Sequence, residues 1–285
     1  SWMQLGKIPT KMWMEYLIWY RRVLNLPVKN LIKLDTFEPH KDIQKVSLHC
    51  LQTNTQKIIF ARKLVLATGI ETSGEWSSPP ISGTVPKEYW SHASEMIDFD
   101  ALAGKQVAVL GAGASAMDNA VAALAADALE VSVFCRRSEL QRVQPFKWLS
   151  FPGFLRHFSE LDDEWRWKFM EHLLGLREAF PKETWERVNE YSNFRLETGS
   201  PWQGLSIIDG KVCIETPKGK FLADFLIFGT GFVIDISRRS ELRDYVDLIA
   251  LWKDRYACPK DESGSMLSNY PYLGNGFEFL EKNIG

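Results

Sequence analysis

Six consecutive residues, Gly111-Ala112-Gly113-Ala114-Ser115-Ala116, have the types and spacing to hold an anion on bare backbone. Gly111 permits a tight turn, Gly113 lets backbone come close to a pyrophosphate, and Ala116 is small where a helix must pack against a strand. The N–H groups around Ala114, Ser115 and Ala116 would then face the phosphates, with the helix dipole behind them. The alternative is a glycine turn that serves packing alone. Twenty-five residues after Gly111 stands Arg136, preceded by Cys135 and followed by Arg137. NAD-binding units usually place Asp or Glu there for the ribose 2′-hydroxyl. A carboxylate repels a 2′-phosphate and guanidinium groups pair with it. Arg136 and Arg137 therefore point to NADP(H), unless they form only a solvated basic turn. Glu130 begins that strand and is poorly placed to compete.

Other reactive residue types show no grouping. Cys50, Cys135, Cys213 and Cys258 are far apart and form no Cys-x-x-Cys pair. That excludes a thioredoxin-reductase-type dithiol and a zinc-finger spacing, and it reads as free thiols in a reducing compartment. His40, His49, His157 and His172 have no ligand spacing, so no metal is expected. No Ser/His/Asp elbow or H-E-x-x-H stretch occurs, and no acid–base triad is assigned.

The glycine turn needs elements to hold it, and they are legible on both sides. Residues 106–110 (Gln-Val-Ala-Val-Leu) read as a buried strand, 116–128 as an alanine-rich helix and 129–135 as a second strand. This strand–turn–helix–strand unit requires a parallel sheet. Upstream, an amphipathic helix is expected over 10–24, strands over 45–51 and 57–67, and a linker over 73–86. Downstream, strands are expected over 205–208, 211–216 and 221–228, with Asp209-Gly210 and Lys218-Gly219 as hairpin turns. The tail from Leu251 reads mostly as loop. Residues 145–196 read as a helical, aromatic insert. There Ser159 and Asp162 resemble a capping box. Leu161, Trp165, Phe169, Leu173, Leu176 and Phe180 form one apolar stripe, and Pro181 stops the helix. Trp148, Trp165, Trp167, Phe169 and Trp185 either line a lid over a reaction site or fill the interface of two packed helices. Two segments echo each other: Leu64-Val-Leu-Ala67-Thr68-Gly69-Ile70 and Leu226-Ile-Phe-Gly-Thr230-Gly231-Phe232, 162 residues apart. They bracket the glycine-turn unit, as one domain inserted in another would require.

Composition narrows the class. The 285 residues suggest roughly two domains of about 150 residues each. Lys and Arg total 34 against 36 Asp and Glu, a formal charge of −2, which argues against a nucleic-acid binder. With 45% apolar and 25% charged residues the chain reads as an ordinary globular protein. No apolar run reaches membrane-spanning length and no signal peptide is visible, so a cytoplasmic location is the default. The chain opens Ser1-Trp2-Met3, without an initiator Met, and a fragment, a processed or a trimmed form is expected.

Leu66-Ala67-Thr68-Gly69, then His92, then Gly104-Lys105 through the glycine turn to Asp118, resembles the class B flavin-dependent monooxygenases, which include the flavin-containing and Baeyer–Villiger monooxygenases. Phe225 to Phe232 and Asn269-Tyr-Pro271-Tyr-Leu273-Gly274 are similar to that family's C-terminal patterns. The resemblance implies an α/β fold of the two-dinucleotide-binding-domain flavoprotein type, with a Rossmann-like NADPH domain inserted into a FAD domain. It places a first part of the FAD domain at 1–80, the NADPH domain with its insert at 81–221, and the return segment at 222–285. It implies FAD contacts for Val28, Ala67, Thr68, Gly69, Thr230 and Gly231, and a linker or domain-closure role for His92, which a packed linker histidine beside Trp90 would equally explain. Departures are plain. Ile81-Ser82-Gly83 replaces the family's aromatic-x-Gly start, Met96 stands where an aromatic is expected, and no glycine-rich FAD fingerprint precedes residue 67. The implied chemistry is an NADPH- and FAD-dependent monooxygenation, through a peroxyflavin, of a small nitrogen, sulfur or ketone substrate with dioxygen. A reductase without oxygenation and a non-catalytic NADPH-binding module are the rival readings.

Overall fold

The computed structural model describes residues 8, 10–69, 73–140, 151–176, 180–259 and 265–282. They divide into two compact units, Ser1–Thr68 with Arg239–Asp244, and Gly69–Arg238 with Tyr245–Gly285. In the first unit, helix α1 spans Thr10–Val23. Its Trp13, Ile18 and Trp19 are all exposed, so the expected amphipathic helix has no covered face among the described residues. Strands β1 (Ile32–His40), β2 (Ile43–Cys50) and β3 (Thr55–Ala61) form an antiparallel meander. The sequence reading missed β1, whose Lys33, Asp35, Glu38 and Pro39 hide its alternation; Pro39 is tolerated on an edge. It also ran β3 on to residue 67. The strand stops at Ala61, opposite Gln44, because β2 turns away there and offers residues 63–68 no partner.

The second unit is built on a five-stranded sheet. Its strands are β5 (Trp90–His92), β6 (Gln106–Leu110), β7 (Glu130–Phe134), β8 (Phe194–Glu197) and β12 (Phe225–Phe228). They lie in the order β5-β12-β6-β7-β8, and every pairing is parallel. Alternation assigns the two faces. Val107, Val109, Val131, Val133 and Ile227 pack with α2 (Ala114–Ala125), while Ala108, Phe134, Leu226 and Phe228 pack on the other side. That other side is covered by an antiparallel sheet of β9 (Gly204–Ile208), β10 (Lys211–Thr216) and β11 (Gly219–Ala223). The result is helix, parallel sheet and antiparallel sheet in three layers. A short ribbon pairs β4 (Gly74–Trp76) with β13 (Phe232–Ile234).

Expectations for one strand and for the helical insert are corrected here. The strand read over 221–228 is two strands in two sheets, broken at Asp224. The Asp224 carboxylate accepts the Gln106 N–H at 2.8 Å and pairs with Lys211 at 3.1 Å, so the chain changes sheets at a residue that satisfies both. The insert over 145–196 is helical in α3 (Pro152–His157), α4 (Asp163–Leu176) and α5 (Lys182–Asn189), but it ends in β8. The cap of α4 is Asp162, whose carboxylate accepts the Trp165 N–H at 2.9 Å, rather than a Ser159 box. The helix departs from the expected stripe in part. Leu173 is buried and Phe180 packs on the core, but Trp165 (52% exposed) and Phe169 (39%) face outward, and Trp167 (0%) enters a cluster with Trp252, Leu267 and Tyr256. Trp185 packs on Phe180 and Phe194 rather than forming part of a lid. Trp148 lies outside the described residues.

Candidate functional site

Strand order places the site. Along β8-β7-β6-β12-β5 the chain order reverses between β6 and β12, and a ligand crevice forms beyond the carboxyl ends of strands at such a switch point. Both strands end there in glycine. Gly111 has φ +121°, and a Cβ on it would collide with the Gly229 carbonyl. A Cβ on Gly229 would in turn collide with Ala116, which is fully buried. Gly111, Gly229 and Ala116 are thus small because β6, β12 and α2 touch through backbone. Gly113 differs. It is the extended N-cap of α2, and a Cβ on it would meet nothing within 4 Å. The first amides of α2 have no partner inside the helix, and open space lies in front of them.

That space is a cleft of about 160 Å³ lined by Gly113, Ala114, Ser115 and Ala116, by His92, Ala93 and Ser94 after β5, by Trp76, and by Gly229 and Gly231. It is smaller than the roughly 300–1,000 Å³ of whole small-molecule sites, a size for part of a ligand rather than the whole of one. His92 is 4% exposed and its Nδ1 accepts the Ser94 N–H at 3.2 Å, with Ser94 Oγ at 2.7 Å. The ring proton therefore belongs on Nε2, which is buried with no hydrogen-bond partner among the described residues. Burial holds the imidazole below its ordinary pKa; the Glu95 carboxylate opposes this and Lys87 adds to it. Glu95 is itself tied down, accepting the His92 N–H at 2.9 Å and Lys87 Nζ at 2.6 Å. The Trp76 ring lies 5.6 Å from that of His92 and 5.1 Å, edge to face, from Phe232.

The structure gathers part of the residue set singled out from sequence. Gly113, Ala114, Ser115, Ala116, His92 and Gly231 line one cleft, with Gly111 behind it. Arg136 and Arg137 follow β7 on the same edge of the sheet, exposed and without an ion pair among the described residues. Glu130 sits at the opposite end of β7, beside Gln106, and pairs loosely with Arg195 at 3.8 Å. Thr230 turns its hydroxyl onto the Ser77 carbonyl, and Gly231 accepts the Ser77 N–H at 2.9 Å with φ +81°. Val28, Ala67 and Thr68 belong to the first unit, where Val28 is exposed; Gly69, φ +67°, opens the second. Sequence reasoning missed Trp76, Ser94 and Gly229. Trp76 sat in a segment read only as linker, and Gly229 was quoted in a pattern without a role.

Comparison with known proteins agrees with the fold. The chain is 38% identical over 283 residues to the FAD-dependent urate hydroxylase of Xanthomonas campestris pathovar campestris, covering 99% of this chain and 59% of that protein. The chain thus spans about three-fifths of the length of the curated relative it matches. The reduced ornithine hydroxylase of Pseudomonas aeruginosa superimposes with a TM-score of 0.67 at 13% identity, over 89% of this chain and 65% of the other. The ornithine N-hydroxylase of Kutzneria, solved with reduced FAD, NADP+ and L-ornithine, gives 0.59 at 15%, over 78% and 59%. The α/β fold expected from the class B monooxygenase resemblance is therefore the fold of this chain, and the Kutzneria enzyme that shares it was solved with FAD and NADP+ bound. The profile of the pyridine nucleotide-disulphide oxidoreductases matches residues 7–172, which run from α1 through the glycine turn and into α4. With the switch-point glycines, the parallel sheet and that match in agreement, this chain belongs to the pyridine nucleotide-disulphide oxidoreductase family.

Proposed function

We propose that the chain supplies the NADPH-binding part, and some of the FAD-binding part, of a flavin-dependent monooxygenase acting on a small nucleophilic substrate with dioxygen. One observation carries this reading: the α2 N-terminus opens through Gly113 onto a cleft at the switch point, lined also by His92, whose buried Nε2–H has no hydrogen-bond partner among the described residues. A pyrophosphate fits that cradle. Its charge meets the amides of Ala114 to Ala116, and its oxygens suit a neutral N–H donor. Arg136 and Arg137 would hold the 2′-phosphate. Trp76 and Phe232 would exclude water from the cleft. Val28, Ala67, Thr68, Gly69, Thr230 and Gly231 are assigned to the flavin, in the nested layout with FAD portions at 1–80 and 222–285 around an NADPH domain at 81–221. With both cofactors bound, the chemistry supplied is hydride transfer from NADPH and activation of dioxygen. The four free cysteines support a reducing, cytoplasmic setting. Among the described residues no helix is long and apolar enough to cross a membrane.

The named activity of the 38% identical relative makes urate the first substrate to test. Balanced monooxygenation consumes one NADPH, one proton and one dioxygen per hydroxylated product, and yields NADP+ and water. The experiment is urate-dependent NADPH oxidation with ¹⁸O₂, expecting one labelled oxygen in the product. NADPH oxidation without label in any product would leave a reductase. Protein that binds NADP+ but no flavin would leave a binding module.

A further inference from the structure

The carboxyl ends of β7 and β8 lie side by side, with Phe134 opposite Glu197. Beyond them the two segments are laced by backbone. Cys135 N–H donates to the Glu197 carbonyl at 3.0 Å, Gly199 N–H to the Arg137 carbonyl at 2.6 Å, and Ser200 N–H to the Cys135 carbonyl at 2.8 Å. The turn through Thr198 and Gly199 is held by φ +58° at Gly199 and by Ser200 Oγ donating to the Thr198 carbonyl. The Glu197 backbone is therefore fixed beside Cys135, the residue before Arg136. Glu197 is a carboxylate in the neighbourhood where a 2′-phosphate would have to sit, supplied by the adjacent strand rather than by the second strand of the nucleotide unit.

A third element answers it. The β10–β11 hairpin carries Lys218 in its turn, where the Lys218 N–H donates to Thr216 Oγ1 at 3.1 Å and that hydroxyl donates to the Gly219 carbonyl at 3.0 Å. Thr216 is buried, so the turn is anchored. Lys218 Nζ lies 3.9 Å from Glu197 Oε2. Its neighbour Lys220 is occupied by Glu215 at 2.8 Å. The Cys135 thiol senses the same field: burial pushes its pKa up, while Arg137 and Lys218 both pull it down. Lys218 thus shares the end of β7 with the two arginines, although it lies 81 residues from Arg137 in the chain.

We propose that Lys218 and Glu197 form a specificity pair for the nucleotide, in which Lys218 neutralises Glu197 and adds a third cation for the 2′-phosphate. The proposal rests on the NADP(H) reading above. Without Lys218, the Glu197 carboxylate would face the phosphate uncompensated, and like charges at one site oppose binding. With both groups neutral, that penalty disappears.

The test is calorimetric titration of the 285-residue protein with 2′,5′-ADP and with 5′-AMP, which differ only in the 2′-phosphate. The wild type is expected to bind 2′,5′-ADP more tightly than AMP. K218M should weaken 2′,5′-ADP by about tenfold, the equivalent of about 1.4 kcal/mol, and leave AMP unchanged. Adding E197Q to K218M should recover the part of the loss that comes from the uncompensated Glu197 carboxylate. Lys218 is half-exposed, and circular dichroism checks that each variant is folded. K218M that binds like the wild type, while R136A/R137A loses 2′,5′-ADP, overturns the pair and leaves the NADP(H) reading standing. A double variant as weak as K218M removes Glu197 from the pair. A wild type that does not distinguish the two probes overturns the NADP(H) reading, and the pair with it.

Discussion

Arg136 and Arg137 are exposed and without an ion pair among the described residues, which makes them a clean test of cofactor choice. Replacing both by Ala should raise the KM for NADPH by about tenfold or more, as expected when charge-assisted phosphate contacts are lost, and should barely change the KM for NADH. Equal changes for both would refute the assignment in steady-state kinetics. His92 makes a separate prediction. Burial lowers its pKa from the ordinary 6.5, so the unfolded chain takes up a proton that the folded chain refuses. Stability contributed by the neutral ring is present above 6.5 and falls as pH drops below it, because there the unfolded state binds more protons. Denaturant midpoints followed from pH 7.5 to 5 should decline less steeply in H92Q; identical slopes would count against the buried neutral ring. At this scale the glycine turn was legible because its demands are local, in backbone torsion and side-chain size. Trp76, Ser94, Glu197 and Lys218 were not, since nothing in their own neighbourhoods marks them as neighbours of the turn or the arginines.

The elements show the same division between near and far. Strands β6 and β7 and helix α2 were readable because period-two apolar runs and an alanine-rich helix flank the turn. The split at Asp224 was not, because one continuous apolar run feeds two sheets and only the Gln106 amide and Lys211 reveal the break. Helix α4 misled for a related reason. Its aromatics occur on more than one face, and the buried face was chosen by the partners Trp252 and Leu267, which lie far along the chain. That correction is measurable. W167A should destabilise the protein by about 3–5 kcal/mol, as for other large core truncations. W165A should shift it by about 0.5 kcal/mol or less, the usual effect of a surface change. Comparable losses in urea denaturation would restore the stripe first read from the sequence.

The two units of the whole molecule differ in what holds them. The buried clusters of Val109, Met117 and Val131, of Phe134, Ile214 and Phe228, and of Trp167 and Trp252 all lie in the second unit. Among the described residues of the first, only Val46 and Leu242 are buried. Stability follows buried apolar contact, and regions poor in it open locally. Amides of β1–β3 should therefore exchange hydrogen well before those of β6, β7 and β12, and NADP+ should slow exchange in the second set only. Uniform protection across both units would contradict this. What the sequence by itself determined was the strand–turn–helix–strand unit, its glycine turn and its basic end, together with a family resemblance. The unit and its turn depend on torsions and periodicities within some thirty residues, and the resemblance on short motifs each read locally. The tertiary structure alone decided that β6 and β12 meet at the switch point, that His92 and Trp76 line one cleft with Gly113, and that Lys218 stands beside Glu197. Those contacts join residues distant in sequence, and only packing of the assembled sheets determines which strand ends share an edge.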